Sequence, residues 1–187
     1  YRRQRQMCIR DRYCSFINEE KILAKDQMIL DEDKASRPDF KEKSMLAYSN
    51  NIPEEITFTV QQKKKDEADF KFNLRCKPFC DQPLFRYDST GPSHRNSSTS
   101  TSIDKQMVTT PHFHKFTSDG KEIAYKTAVL EEENQVKALS DISLCVLHFF
   151  QEAHIKGEKF ELISSPGELS FKEDSDADPL ENVKFII

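Results

Sequence analysis

The chain has 187 residues, of which 32% are charged, and its mean hydropathy is −0.72. This length accommodates one domain with its own core. No apolar run approaches the roughly 20 residues that a membrane-spanning helix needs, so we expect no membrane partner. The sequence shows no apolar signal segment, which favours a cytoplasmic location. Fourteen Phe and no Trp indicate a core built from phenylalanine.

The first twelve residues carry five Arg and one Asp, unlike the rest of the chain. They resemble translated sequencing-adapter read-through in metagenomic gene predictions, and we expect residues 1–14 to be a non-native or disordered leader. The alternative is a basic arm that binds nucleic acid. Without these residues the formal net charge of −4 becomes more negative. An acidic body argues against tight non-specific binding to nucleic acid, which needs a basic surface.

Two further segments are polar and poor in core-forming residues. Residues 97–106 are rich in Ser and Thr, and we expect an inert insertion there rather than a lid. Residues 164–187 include an acidic run at 172–179, and we expect a flexible tail. The remaining residues, 15–163, are predicted to form a single domain.

The pattern of apolar residues predicts helices near the N-terminus and strands after them. A ragged apolar stripe favours a helix over 15–30, and 40–48 favours a second, short helix. Alternating apolar and polar residues predict strands that begin near Ile56, Phe70, Leu84, Pro111 and Glu122. Because turn signals separate these strands, we expect an antiparallel sheet of four or five strands in which 69–76 pairs with 83–88.

Residues 131–153 have the strongest helical pattern of the sequence. The expected apolar face consists of Val136, Leu139, Ile142, Val146, Leu147 and Phe150. The predicted fold class is therefore α+β, with N-terminal helices, an antiparallel sheet of four or five strands and one long C-terminal helix packed on the sheet.

Five cysteines lie at positions 8, 14, 76, 80 and 145. Cys76 and Cys80 have C-x3-C spacing, which differs from the C-x2-C spacing of common zinc and thioredoxin sites. No second pair is present to complete a four-thiolate zinc site. We therefore expect free thiols, with a disulfide or a metal role for Cys76 and Cys80 as the alternative.

The densest set of reactive side chains lies between residues 84 and 114. Alternate residues of a strand point to the same face. His112 and His114 should therefore converge on one pocket, and Arg86 and Asp88 should line the same pocket if the two strands pair. His94 follows in a loop, and its direction decides whether the pocket holds two or three imidazoles.

Three uses of these residues follow from their chemistry. His94, His112 and His114 with one open position make a metal site. Without a metal, one His can act as general base and another as general acid, while Arg86 or Arg95 stabilises a phosphodiester transition state and Asp88 orients an imidazole. In the third interpretation these groups hydrogen-bond one another and brace the 89–110 segment. The candidate catalytic residues are His94, His112, His114, Arg86 and Asp88, the candidate binding residues are Tyr87, Arg95 and Asn96, and no cofactor is assigned.

Two motifs, "G-P-x-H-R-N" at 91–96 and "P-H-x-H" at 111–114, resemble the bacterial domain-of-unknown-function family 6978. The likeness covers about residues 55–156, including an arginine-aspartate strand before the first motif and a C-terminal helix. In that family Asn-Pro-Asp-Gly is expected after the His-Arg pair, whereas here Asn96 runs into a Ser/Thr tract. The resemblance implies an uncharacterised protein of bacteria, phages or mobile elements.

A weaker likeness is to TumE-type toxins of toxin–antitoxin pairs, through the Arg86-Tyr-Asp88 strand and the "P-H-x-H" motif. It implies a small toxin with an antitoxin or other protein partner and RNA as its target. The doubled histidines of those toxins are missing, because His94 stands alone. The expected function is a binding or interaction domain with a His/Arg-lined pocket. The alternative is a toxin-like, metal-independent ribonuclease of a toxin–antitoxin pair.

Overall fold

A computed structural model describes residues 12–96, 107–117 and 120–164. Most of the predicted leader, the Ser/Thr-rich segment and the predicted tail after residue 164 lie outside the described residues.

Residues 12–18 form a helix, α1. The strands are β1 (Lys21–Leu23), β2 (Gln27–Leu30), β3 (Phe40–Ser49), β4 (Ile52–Lys63), β5 (Asp66–Arg75), β6 (Phe85–Asp88), β7 (His94–Arg95), β8 (Met107–Val108), β9 (His112–Phe116), β10 (Glu122–Tyr125), β11 (Ile155–Lys156) and β12 (Glu161–Ser164). The later helices are α2 (Ala128–Glu131), α3 (Glu133–Ala138) and α4 (Ile142–Glu152).

Eight strands form one mixed sheet in the order β10-β9-β6-β5-β4-β3-β1-β11. Neighbouring strands are antiparallel except β1 and β11, which are parallel. The five strands predicted from alternation lie in β4, β5, β6, β9 and β10 and are confirmed. The predicted pairing of 69–76 with 83–88 is also confirmed, because β5 and β6 are antiparallel with Lys71 opposite Asp88.

The predicted fold class is wrong, since the sheet has eight strands rather than four or five and no long helix of the described residues covers it. The first error concerns residues 15–30, where only the start is helical. Lys21 and Leu23 in β1, and Met28 and Leu30 in β2, are buried at alternate positions. These short strands pair with β11 and β12 from the far end of the chain, and local periodicity gives no sign of such distant partners.

The second error concerns residues 40–48, which form β3 instead of a helix. The chain turns at Asn50 and Asn51, and β3 then pairs with β4 from Ser49 back to Phe40. Asn tolerates the backbone conformations of tight hairpin turns. The apolar pattern of β3 is ambiguous by itself, and its pairing with the strongly alternating β4 therefore makes it a strand.

The third error concerns residues 131–153, which run from the last residue of α2 through α3 and α4 instead of forming one helix. The Asp141 carboxylate accepts hydrogen bonds from the backbone N–H groups of Ser143 and Leu144, so Asp141 is the N-cap of α4. An N-cap lies outside the helical conformation, and a new helix therefore begins after it. Within the described residues, no helix is long and apolar enough to cross a bilayer.

The core lies between α4 and one face of the sheet. The Phe149 ring lies 5.6 Å from that of Phe58 and 5.3 Å from that of Phe72, measured between centroids, and its other neighbours include Phe85 and Phe113. Of the predicted apolar face, Ile142, Val146 and Phe150 are buried, Val136 and Leu139 are partly buried, and Leu147 is exposed. Since neighbouring residues of a strand alternate between faces, β6 and β9 turn their polar side chains away from this core.

Candidate functional site

The polar faces of β6 and β9 bring four of the predicted site residues together. In the register of the two strands, Arg86 lies opposite His114 and Asp88 lies opposite His112. Directly opposed residues of antiparallel strands have neighbouring side chains on the same face. The predicted convergence of His112 and His114 is therefore present, with Arg86 and Asp88 beside them.

Three atoms of this group face one another closely. His112 Nε2 lies 2.8 Å from His114 Nε2, and Asp88 Oδ2 lies 3.1 Å from His114 Nε2 and 3.9 Å from His112 Nε2. We call Asp88, His112 and His114 the His–Asp cluster. Each of these residues is buried, with at most 7% of its surface exposed.

Two cations hold the carboxylate of Asp88. Lys71 Nζ lies 3.0 Å from Asp88 Oδ1, and Arg86 Nε lies 3.1 Å from Asp88 Oδ2. Burial alone would raise the pKa of Asp88, but the contacts with His114, Arg86 and Lys71 outweigh it and hold the pKa well below its usual range. Both contacts are ion pairs without hydrogen-bond geometry, so Asp88 Oδ1 and Arg86 Nε are buried with no hydrogen-bond partner.

Arg86 also contacts His114. Its Nη2 atom lies 3.2 Å from Nδ1 and 3.0 Å from Nε2 of that ring. An atom that close to both ring nitrogens lies over the face of the imidazole, because the ring carbons block an approach within the ring plane. The guanidinium therefore covers one side of the His–Asp cluster.

Glu122 supports the other nitrogen of His114. Glu122 Oε1 lies 3.2 Å from His114 Nδ1 and 3.5 Å from Arg86 Nη2. Both ring nitrogens of His114 therefore lie beside a carboxylate, Nδ1 beside Glu122 and Nε2 beside Asp88. A carboxylate beside a ring nitrogen favours a proton on that nitrogen, so Glu122 can keep a proton on Nδ1 when another partner takes the lone pair of Nε2.

His112 completes the group as a neutral imidazole. Burial and the neighbouring His114 lower the pKa of His112 to about 4, against a smaller opposing effect of the Thr109 carbonyl. His112 Nδ1 has no partner with hydrogen-bond geometry. A neutral imidazole at neutral pH is the form that coordinates metal ions or accepts protons.

His94 lies at the edge of this group. Its ring centroid is 4.9 Å from that of His114 and 6.4 Å from that of His112, and the residue is half-buried. Burial and the nearby His114 lower its pKa. His94 thus turns toward the cluster, but it does not belong to the group of three whose ligand atoms lie within 4.8 Å of one another.

The structure does not bring the three predicted binding residues into the cluster. Tyr87 is 1% exposed and stacks in the aromatic core, on the opposite face of β6. Arg95 is exposed. The Asn96 side chain donates to the carbonyl of Ala124 at 2.9 Å and accepts from its N–H at 2.8 Å, so it pairs with β10 as a strand would.

Sequence reasoning missed two members of the site, Lys71 and Glu122. Both follow from register, since Lys71 lies opposite Asp88, and Glu122 lies opposite Phe116 on the side of the sheet that His114 faces. The turn at Gly120 and the alternation of β9 would place Glu122 on the face of His114, but only once the pairing of β9 with β10 is known.

The cysteines form no comparable group in the described part of the chain. Cys14, Cys76, Cys80 and Cys145 are free thiols, as predicted. Burial raises the pKa of the Cys145 thiol to about 12, which makes it unreactive at neutral pH.

Comparisons with protein-family models, with curated proteins and with solved structures find no match to this chain. The two resemblances drawn from the motifs therefore stay predictions, and the function has to be argued from the site itself.

Proposed function

We propose that this protein is a binding domain whose His–Asp cluster binds one divalent metal ion. The observation that carries the proposal is the convergence of three acceptor atoms, two imidazole nitrogens and one carboxylate oxygen, on a single point. In residues 12–96, 107–117 and 120–164 this is the one group of three potential ligands that lie so close together.

The spacing of the three atoms fits a metal ion. A triangle with sides of 2.8, 3.1 and 3.9 Å has its equidistant point about 2.0 Å from each corner. Zinc binds histidine nitrogen and carboxylate oxygen at ~2.0–2.2 Å. An ion at this point, or slightly out of the plane, needs almost no movement of the three ligand side chains.

The carboxylates around His114 support the same conclusion. Glu122 lies beside Nδ1 and can keep a proton there, so a metal ion at Nε2 would replace only the proton that this nitrogen shares with Asp88 Oδ2 or His112 Nε2. Three lone pairs at these distances repel one another unless a proton or a metal ion lies among them. Glu122 is then the outer carboxylate that orients a metal-bound histidine.

The donor set limits the identity of the ion. Two imidazoles and one carboxylate bind zinc with one open position, or iron(II) with three open positions. Oxygen-only ions such as calcium and magnesium do not suit two nitrogen ligands. We therefore assign the site to a borderline transition metal.

Isothermal titration calorimetry with Zn²⁺ or Co²⁺ tests this assignment. The wild type should bind one ion, and His112→Ala should weaken binding by more than the 10–100-fold that outer-sphere changes cost. The matched control is His154→Asn, because His154 is exposed, lies outside the cluster and has φ = 52°, a conformation that Asn tolerates. Equal binding by wild type and His112→Ala would refute the site.

A second comparison separates the two possible ligand sets. If the third ligand is Asp88, then Asp88→Asn removes binding while His94→Ala changes the affinity only a few-fold. If three histidines coordinate the ion, His94→Ala removes binding while Asp88→Asn changes the affinity only a few-fold. Thermal melting of each variant shows whether the fold survives, and saturating metal should raise the free energy of unfolding only where binding persists.

The toxin-like ribonuclease is supported less well by this arrangement. General acid–base catalysis requires direct contact between the imidazoles and the reacting oxygen atoms. His112 and His114 are 2% and 3% exposed, so an RNA phosphodiester cannot contact them without displacing the covering side chains. RNA cleavage by the wild type in the presence of a chelator, and not by His112→Ala, would restore this alternative.

A further inference from the structure

Arg86 contacts the same atoms that the proposed metal ion would bind. Its Nη2 lies 3.0 Å from His114 Nε2, and its Nε lies 3.1 Å from Asp88 Oδ2. A guanidinium and a divalent ion cannot both stay close to these two acceptors, because like charges repel strongly in a buried site. Metal binding must therefore move Arg86 outward.

The charge balance of the site changes on metal binding. Asp88 and Glu122 are negative, Lys71 and Arg86 are positive, and these charges cancel among themselves. A divalent ion adds two positive charges among ligands that are at most 7% exposed. Uncompensated charge in a buried site is costly, so an anion in the open coordination position would stabilise the loaded site.

We propose that the metal-loaded His–Asp cluster binds the carboxylate or phosphate group of a small ligand, held between the ion and the Arg86 guanidinium that the ion displaces. This proposal rests on the proposed metal site. The ligand class follows from the two partners, a cation with an open position and a planar guanidinium.

Arg86 is suited to this second role. Its side chain is 30% exposed, so its outer edge already faces solvent, and Glu122, which is 34% exposed, marks the direction in which it can move. Its Nε has no hydrogen-bond partner while it lies over the cluster. A planar guanidinium binds a carboxylate or a phosphate through two parallel hydrogen bonds, which an ammonium group cannot do.

Two consequences have opposite signs, which makes the proposal easy to refute. Removing the Arg86 charge removes the competitor, so Arg86→Gln should bind the bare metal more tightly, by roughly tenfold per 1.4 kcal/mol of relieved repulsion. The same change removes one of the two anion partners, so the anion should no longer improve metal binding. Arg86→Lys keeps the charge without the planar geometry. It should therefore lose most of the anion effect while its affinity for the bare metal stays close to that of the wild type.

The test is a Co²⁺ titration of the full chain, followed by calorimetry and visible absorption, in sodium chloride, sodium acetate or methyl phosphate at equal ionic strength. Acetate and methyl phosphate separate a carboxylate ligand from a phosphate ligand. In the wild type, at least one of the two anions should raise the Co²⁺ affinity on the order of tenfold and change the cobalt spectrum. Arg37→Gln, at an exposed arginine outside the site, is the matched control and should behave as the wild type.

The outcomes separate this proposal from the metal site on which it rests. Co²⁺ binding by the wild type with no anion effect, or an equal anion effect in Arg86→Gln, overturns the anion proposal and leaves the metal site. Weaker Co²⁺ binding by Arg86→Gln than by the wild type refutes the competition. Absence of Co²⁺ binding in both proteins, under all three conditions, refutes the metal site as well.

Discussion

Lys21 provides a stability prediction that can be worked out from the structure. The residue is 0% exposed, and its Nζ donates hydrogen bonds to the carbonyl oxygens of Glu19 at 2.9 Å and Ala153 at 3.0 Å. The Phe16 ring lies 5.0 Å away. Carbonyl groups and a ring face stabilise an ammonium less than water does, and burial therefore lowers the pKa of Lys21 from 10.5 to about 8.

This shift makes stability depend on pH in a definite direction. Between about pH 8 and the ~10.4 of an unfolded lysine, the unfolded chain holds a proton that the folded chain has released. The free energy of unfolding then rises with pH, by about 1.4 kcal/mol per unit once the folded lysine is neutral. Below pH 8 both states are protonated, and the cost of burying the charge is fully present.

The assay compares the wild type with Lys21→Met by urea denaturation between pH 7 and 9.5. Cys145 and Tyr13, whose pKa values burial raises to about 12, contribute the opposite slope in both proteins and cancel in the difference. From pH 7 to 9 the wild type should gain about 1.3 kcal/mol relative to Lys21→Met. Parallel pH profiles would show that Lys21 stays charged in the folded protein and would refute this reasoning.

Three further changes test the packing. Phe149→Ala should cost about 3–5 kcal/mol in urea denaturation, because its ring fills the space between four other aromatic rings; a cost below 1 kcal/mol would contradict this packing. Asp141→Ala should cost about 1 kcal/mol because it removes the N-cap of α4, whereas Asp141→Ser should retain most of the stability because Ser also caps helices. Gly157→Ala places a methyl group against the Phe150 ring, so a loss of about 1–3 kcal/mol in thermal melts is expected; an unchanged melting temperature would show that the ring moves at little cost.

The part of the fold that could be predicted is the part whose signal is local. Alternation over β4 and β5 identified both strands, and the short turns between them indicated antiparallel neighbours. The strands β1 and β2 could not be found in this way, because each has only three or four residues and pairs along one side with a strand more than 130 positions later. The N-cap at Asp141 was not predicted, because the apolar stripe continues across it on both sides.

The same distinction applies to the site. Period-two spacing was sufficient to place His112 with His114 and Arg86 with Asp88, since each pair lies on a single strand. The two pairs meet only because β6 and β9 are neighbours in the sheet. Since 23 residues separate Asp88 from His112, the sequence alone does not show that these strands pair. Glu122 belongs to a third strand, so its place beside His114 required the register of β10 as well.

The bond between Asn96 and Ala124 also affects how the protein meets its neighbours. β10 is the last strand at one end of the eight-stranded sheet, and such a strand offers free backbone groups to the sheet of any passing chain. The Asn96 amide occupies the N–H and the carbonyl of Ala124 that face outward. The Asn96 side chain thus occupies the outward backbone groups in the middle of β10. Its removal would expose these groups to pairing with a strand from a second copy of the chain.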